Sequence, residues 1–132
     1  MNIEFYSDES QKTIKPELYS TIADDLAKTL AKEQESVRGV NKRTQLRKFY
    51  DEVVRLDADA KTHTDNWEDI LPAIHMLSAK AAYAKGRTLV SDTFLEFMQT
   101  CIKKIDTPRD LQTFANLFEA VMGFYRLHGP SS

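Results

Sequence analysis

Arg38, Lys42, Arg43, Arg47 and Lys48 are the only charged residues from Ser36 to Tyr50, and Lys80, Lys85 and Arg87 the only ones from Ile70 to Ser91. Cations grouped without carboxylates can hold phosphate oxygens through charge-assisted hydrogen bonds, because no neighbouring acid competes for them. The segments around these stretches are mostly acidic. Net charges are −4, +5, −5, +3 and −1 over residues 1–35, 36–50, 51–69, 70–91 and 92–132, giving −2 for the chain. A nearly neutral protein sorted in this way stays soluble while turning a basic surface toward a polyanion. The pattern predicts a nucleic-acid contact surface.

Each basic residue also has an ordinary structural explanation. Arg47, Lys48 and Arg55 lie on a helical face with Asp51 and Glu52, so Arg47–Asp51, Lys48–Glu52 and Asp51–Arg55 pairs would make a solvated surface. Lys42, Arg43 and Arg47 are harder to explain that way. They gather at the start of a helix, where positive charge opposes the macrodipole unless an anion is present. Thr44, Gln45 and Leu46 would offer backbone N–H groups to that anion, and the Gln45 amide a further hydrogen bond to backbone oxygens. Further along, Lys80, Tyr83 and Arg87 are spaced i, i+3, i+7. Lys85 suits the negative end of a helix without any ligand. Tyr83 can stack on a base or pack into the fold, and packing is the commoner fate of a helical tyrosine.

Other chemistries lack their residues. Asp57 to Glu68 has acids at positions one, three, nine and twelve of a calcium loop, but Lys61 stands at a ligand position and Thr62 where the loop needs glycine. That segment is expected to be an acidic, solvated linker. His63, His75 and His128 show no metal-ligand spacing, and His75, in an apolar stretch, is expected to be partly buried. Cys101 is the only cysteine, which excludes an internal disulfide or a thiolate zinc cluster. With no phosphate loop and no nucleophile motif, neither an enzyme nor a cofactor nor a metal is expected. Met1–Ser10 is polar and acidic, so no signal peptide is expected, and the location expected is cytoplasmic.

Helices must position these side chains, because apolar residues recur at helical spacing nearly throughout. The expected fold is all-α: a flexible segment over residues 1–12, then one compact bundle of about five helices over 13–128. The first helix begins at Pro16 and runs to Ser36, burying Leu18, Ile22, Leu26 and Leu30. A second starts near Thr44 and turns Leu46, Phe49, Tyr50, Val53 and Leu56 inward. The third spans Trp67 to Lys85, with Pro72 starting its main body or kinking it. A fourth runs from Asp92 to Ile105. The fifth opens on Thr107-Pro108-Arg109-Asp110, a capping box with proline at the first helical position, and ends at Gly129-Pro130.

Three segments together carry a family resemblance. They are Lys42-Arg43-Thr44-Gln45-Leu46-Arg47-Lys48-Phe49-Tyr50, the run from Ile74 through Lys80 and Tyr83 to Ala84, and the run from Phe114 through Phe118 to Tyr125. Over about residues 40–127 the chain resembles the small subunit of the Csm-type (type III-A) CRISPR effector complex. The resemblance implies a helical RNA-binding subunit present in several copies, stacked along guide RNA and target RNA beside larger subunits. It also implies no catalysis, since neighbouring subunits cut RNA, cut DNA and make cyclic oligoadenylate. The family's Thr-Gln-Leu-Arg segment falls on Thr44 to Arg47, and its Lys-x-x-Tyr-x-x-x-Arg segment on Lys80, Tyr83 and Arg87. Asn41-Lys42-Arg43 departs from the Ser/Thr-rich cap expected there. Lys42, Arg43, Gln45, Arg47, Lys48, Lys80, Tyr83, Lys85 and Arg87 are therefore the expected RNA contacts. The partners are guide and target RNA, other effector subunits and further copies of the chain. The competing reading is a helical protein–protein adaptor without RNA contact.

Overall fold

The computed structural model describes residues 1–130. Five helices carry the chain: α1 (Thr21–Ser36), α2 (Arg43–Thr62), α3 (Trp67–Gly86), α4 (Asp92–Ile102) and α5 (Pro108–His128). Strands β1 (Tyr6–Asp8) and β2 (Thr13–Ile14) and a 3-10 turn (Pro16–Tyr19) precede them. The all-α bundle read from the periodicity is the fold observed. Its centre is aromatic. Phe94 and Phe97 of α4 meet Phe114 and Phe118 of α5 with ring centroids 5.4–6.1 Å apart, tilted or edge-on as aromatic quadrupoles prefer. Phe49 and Tyr50 extend the cluster from α2.

The helix ends follow local chemistry. At the start of α5, Thr107 Oγ1 accepts from the Asp110 N–H at 3.2 Å, and Asp110 Oδ2 accepts from the Thr107 N–H at 3.1 Å. This is the capping box expected there. Ser91 caps α4 through the Phe94 N–H. Pro72 remains within α3 at an exposed position in its second turn, where its missing N–H leaves only the Glu68 carbonyl without a helical donor.

Several expectations change in the folded chain. The first helix is broken at Ser20, so Pro16 starts a 3-10 turn rather than α1. The break lets Leu18 and Ala23 both reach the core, although residues five apart on one regular helix point in different directions. Asp57 to Thr62 is the end of α2, not a linker. Ala58 and Ala60 favour helix, and ion pairs Arg55–Asp59 at 3.4 Å and Lys61–Asp57 at 3.0 Å join its turns. His75 is exposed rather than partly buried, because the apolar side of α3 runs through Ile70, Ile74, Leu77 and Ala81. α4 ends at Ile102, and Ile105 is buried from the turn that follows.

Residues 1–12, expected to be a loose segment, instead contribute Ile3, Phe5 and Tyr6 to the core. β1 and β2 form an antiparallel hairpin whose turn is held by Asp8, which accepts from Ser10 and Gln11. Tyr6 Oη donates to Asp110 Oδ1 at 2.7 Å, tying the hairpin to the start of α5. Asn41 joins the opposite end of the bundle. It is fully buried with φ at 56°, a left-handed conformation that asparagine tolerates better than most residues. Its Nδ2 donates to the Leu30 carbonyl and to Ser91 Oγ, and its Oδ1 accepts from the Ser91 N–H. Its N–H bonds the Leu89 carbonyl, and its carbonyl accepts from Tyr125 Oη. Burial pushes that tyrosine's pKa up to about 12, so the phenol remains a donor.

Candidate nucleic-acid interface

A four-residue connection makes α2 and α3 antiparallel neighbours, so the start of α2 lies beside the end of α3. The Asn41–Leu89 backbone bond fixes that proximity. The two acid-free stretches, separated by the 19 residues 51–69 in the chain, thus become one edge of the molecule. Between the helices runs an open cleft of about 410 Å³. Gln45 and Lys48 line it from α2 and Lys80 from α3, over an apolar floor of Phe49 and Leu77. The amphipathic stripe of α2 explains the arrangement. Leu46, Phe49 and Val53 point inward, which places Gln45 and Lys48 at the rim.

The nine expected contact residues fall into distinct groups. Lys42, Lys48 and Lys80 are exposed and make no ion pair or side-chain hydrogen bond among the described residues, as does Arg38 beyond them. Arg47 is exposed, with Asp51 at 3.9 Å, too long for a strong pair. The Lys48–Glu52 and Asp51–Arg55 pairs do not form, because Arg55 instead bonds Glu52 at 2.9 Å and Asp59 at 3.4 Å. Tyr83 is 66 % exposed, which removes packing as its explanation. Arg87 lies over its ring, 5.9 Å from the centre, and donates to its hydroxyl at 3.2 Å, so the two side chains stand together on the surface. Lys85 lies 3.5 Å from Asp92 across the turn into α4.

Arg43 is placed differently. It is half-buried, and its Nη2 donates to the Pro130 carbonyl at 2.5 Å, just past the end of α5. The charge that opposes the α2 dipole is answered at least in part by this carbonyl, and Arg43 serves the fold. The backbone amides at that helix start are also less open than expected. Gln45 and Leu46 both donate to the Lys42 carbonyl, at 2.9 and 3.1 Å. The sequence reading also missed the floor of the cleft and its acidic rim, Asp51 and Glu52. The i, i+3, i+4, i+7 spacing of Gln45, Lys48, Phe49 and Glu52 was the signal that could have found them.

Among the described residues no cluster of His, Cys, Asp and Glu is arranged to hold a metal, and no helix is long and apolar enough to cross a membrane. Cys101 is fully buried within α4, and burial raises its thiol pKa far above the usual range, which keeps it protonated. What the edge offers chemically is spaced positive charge, one amide and one exposed aromatic ring. No curated protein and no solved structure gives a match to the chain. The family model described as Csm2 Type III-A matches residues 14–131. That match spans the whole bundle and both basic stretches, and by it the chain belongs to the Csm2 Type III-A family, the small subunits of type III-A CRISPR effector complexes.

Proposed function

We propose that this small subunit is non-catalytic and binds RNA backbone without sequence preference, several copies stacking along guide and target RNA. One observation carries the reading: two stretches distant in sequence converge on one edge, and Lys42, Lys48 and Lys80 stand there uncompensated. Phosphate contacts of this kind supply affinity and position but no base readout, as a subunit serving many guides requires. A single copy offers few cations, so its own affinity is weak and stacked copies gain by avidity. The exposed acids Asp65, Glu68 and Asp69, where α2 turns into α3, offer a surface complementary to basic neighbours.

One observation favours an adaptor instead. Met76 and Tyr83 are 57 % and 66 % exposed on the outer face of α3, among small residues that a partner helix could approach closely. Reconstitution of the effector complex with Lys42, Lys48, Lys80 and Arg87 all changed to alanine separates the readings. The subunit is expected to incorporate normally while the affinity of the complex for target RNA falls at least tenfold at moderate salt, since losing about four phosphate contacts per copy has that order of effect. Normal RNA affinity in a normally assembled complex would favour the adaptor.

A further inference from the structure

The α2–α3 cleft is polarised along its length. Antiparallel packing sets Lys80 across from Lys48, and Asp51 and Glu52 follow about one helical turn further along α2. Phe49 and Leu77 close the bottom, and both are nearly fully buried, so the floor is rigid and apolar. The volume of about 410 Å³ falls within the roughly 300–1,000 Å³ usual for small-ligand sites. Neither lysine has an ion-pair partner among the described residues. The acids are partly engaged, Glu52 by Arg55 at 2.9 Å and Asp51 by Arg47 at 3.9 Å, so their charge is offset while acceptor lone pairs remain.

A nucleotide has the same polarity. Its phosphate is anionic, its base is a flat apolar body, and the far edge of every base carries an N–H donor: N6 of adenine, N4 of cytosine, N1 and N2 of guanine, N3 of uracil. We infer that the cleft takes a single unstacked nucleotide of the bound RNA, with its phosphate between Lys48 and Lys80 and its base edge toward Asp51 and Glu52. This inference rests on the RNA-binding reading and adds to it a ligand class at a defined place. It accounts for the acids on an otherwise basic edge. A base N–H finds acceptors there, whereas a phosphate, which has no donor, finds none. Because each base supplies such a donor, the site remains tolerant of sequence. Gln45, one turn before Lys48 on α2, flanks the phosphate side and can bond a ribose or phosphate oxygen.

The test uses the full chain with a single-stranded RNA hexamer carrying 2-aminopurine at one position, and a matched hexamer with an abasic nucleotide there. Binding of the first is expected to brighten 2-aminopurine as the base leaves its stack. The abasic hexamer is expected to bind on the order of tenfold more weakly, the usual effect of losing one base contact. Gln45→Trp, which fills the cleft from a half-buried rim position, is expected to abolish the brightening and to bind both hexamers with equal, reduced affinity. Circular dichroism checks that this variant is folded, and the abasic comparison needs no change to the protein. Equal binding of intact and abasic hexamers with unchanged emission would overturn the nucleotide site while leaving backbone binding intact. Failure of both hexamers to bind wild type at low salt would overturn the RNA-binding reading itself.

Discussion

Asn41→Ala is expected to destabilise the chain by about 3 kcal/mol, lowering the melting temperature by roughly 10 °C. The substitution removes three side-chain hydrogen bonds and strands the Ser91 N–H, while the Leu30 carbonyl keeps its helical donor. Each buried group left without a partner costs about 1–3 kcal/mol. Alanine must also hold φ near 56°, where a β-carbon adds about 1 kcal/mol of strain. Asn41→Gly separates the two contributions, because glycine meets the backbone requirement and loses only the hydrogen bonds. Urea unfolding of the three proteins checks the expectation. An Ala variant within 1 kcal/mol of wild type would show that the hub is dispensable. The same residue sets the α2–α3 edge, since its N–H holds the Leu89 carbonyl and so fixes the end of α3 beside the start of α2.

The second large effect belongs to Asp110. Its side chain is almost fully buried, yet Tyr6 Oη, the Asp106 and Thr107 N–H groups and Lys12 Nζ all donate to it at 2.7–3.2 Å. Burial alone pushes its pKa up. Those hydrogen bonds and the Lys12 charge outweigh burial, and the carboxyl sits below its ordinary value. Asp110→Ala is expected to cost about 3 kcal/mol, since bonds to a charged acceptor are worth about 1.5–3 kcal/mol each and are not additive. The pH dependence follows from the direction of the shift. A carboxyl with a depressed folded pKa contributes stability that is present above the unfolded value, near 4, and is lost as pH falls through the lower folded value. The gap between wild type and Asp110→Asn is therefore expected to be full at pH 6 and to shrink below about pH 4. A gap independent of pH between 6 and 3 would contradict the account of the hairpin latch.

These two residues mark where sequence reading stops. The capping box was legible because Thr107 and Asp110 are three residues apart and meet through local geometry. That the same carboxylate also receives Tyr6, 104 residues earlier, was not, and so the first twelve residues read as loose. Their polar composition also hides the inward Ile3 and Phe5. The edge was half legible. Acid-free composition marked both stretches, and helical spacing put Lys80 and Tyr83 on one face. Composition could not reveal that Arg43 spends a guanidinium N–H on the Pro130 carbonyl, because that contact depends on where α5 ends. The acids of the cleft were half legible too. Asp51 and Glu52 do pair along their own helix, with Arg47 at 3.9 Å and Arg55 at 2.9 Å, but that they also line a cleft depends on where α3 packs.

The central claim is that the edge made by α2 and α3 holds phosphates. Its most direct test is the salt dependence of single-stranded RNA binding, measured by fluorescence anisotropy for wild type and for Lys48→Ala with Lys80→Ala. Each phosphate contact on a single strand contributes about 0.7 to the slope of log K against log salt. Wild-type affinity is expected to fall steadily with salt for RNA of any sequence, and the double variant is expected to show a slope shallower by about 1.4. Identical slopes in the two proteins would contradict the claim that Lys48 and Lys80 contact the RNA backbone.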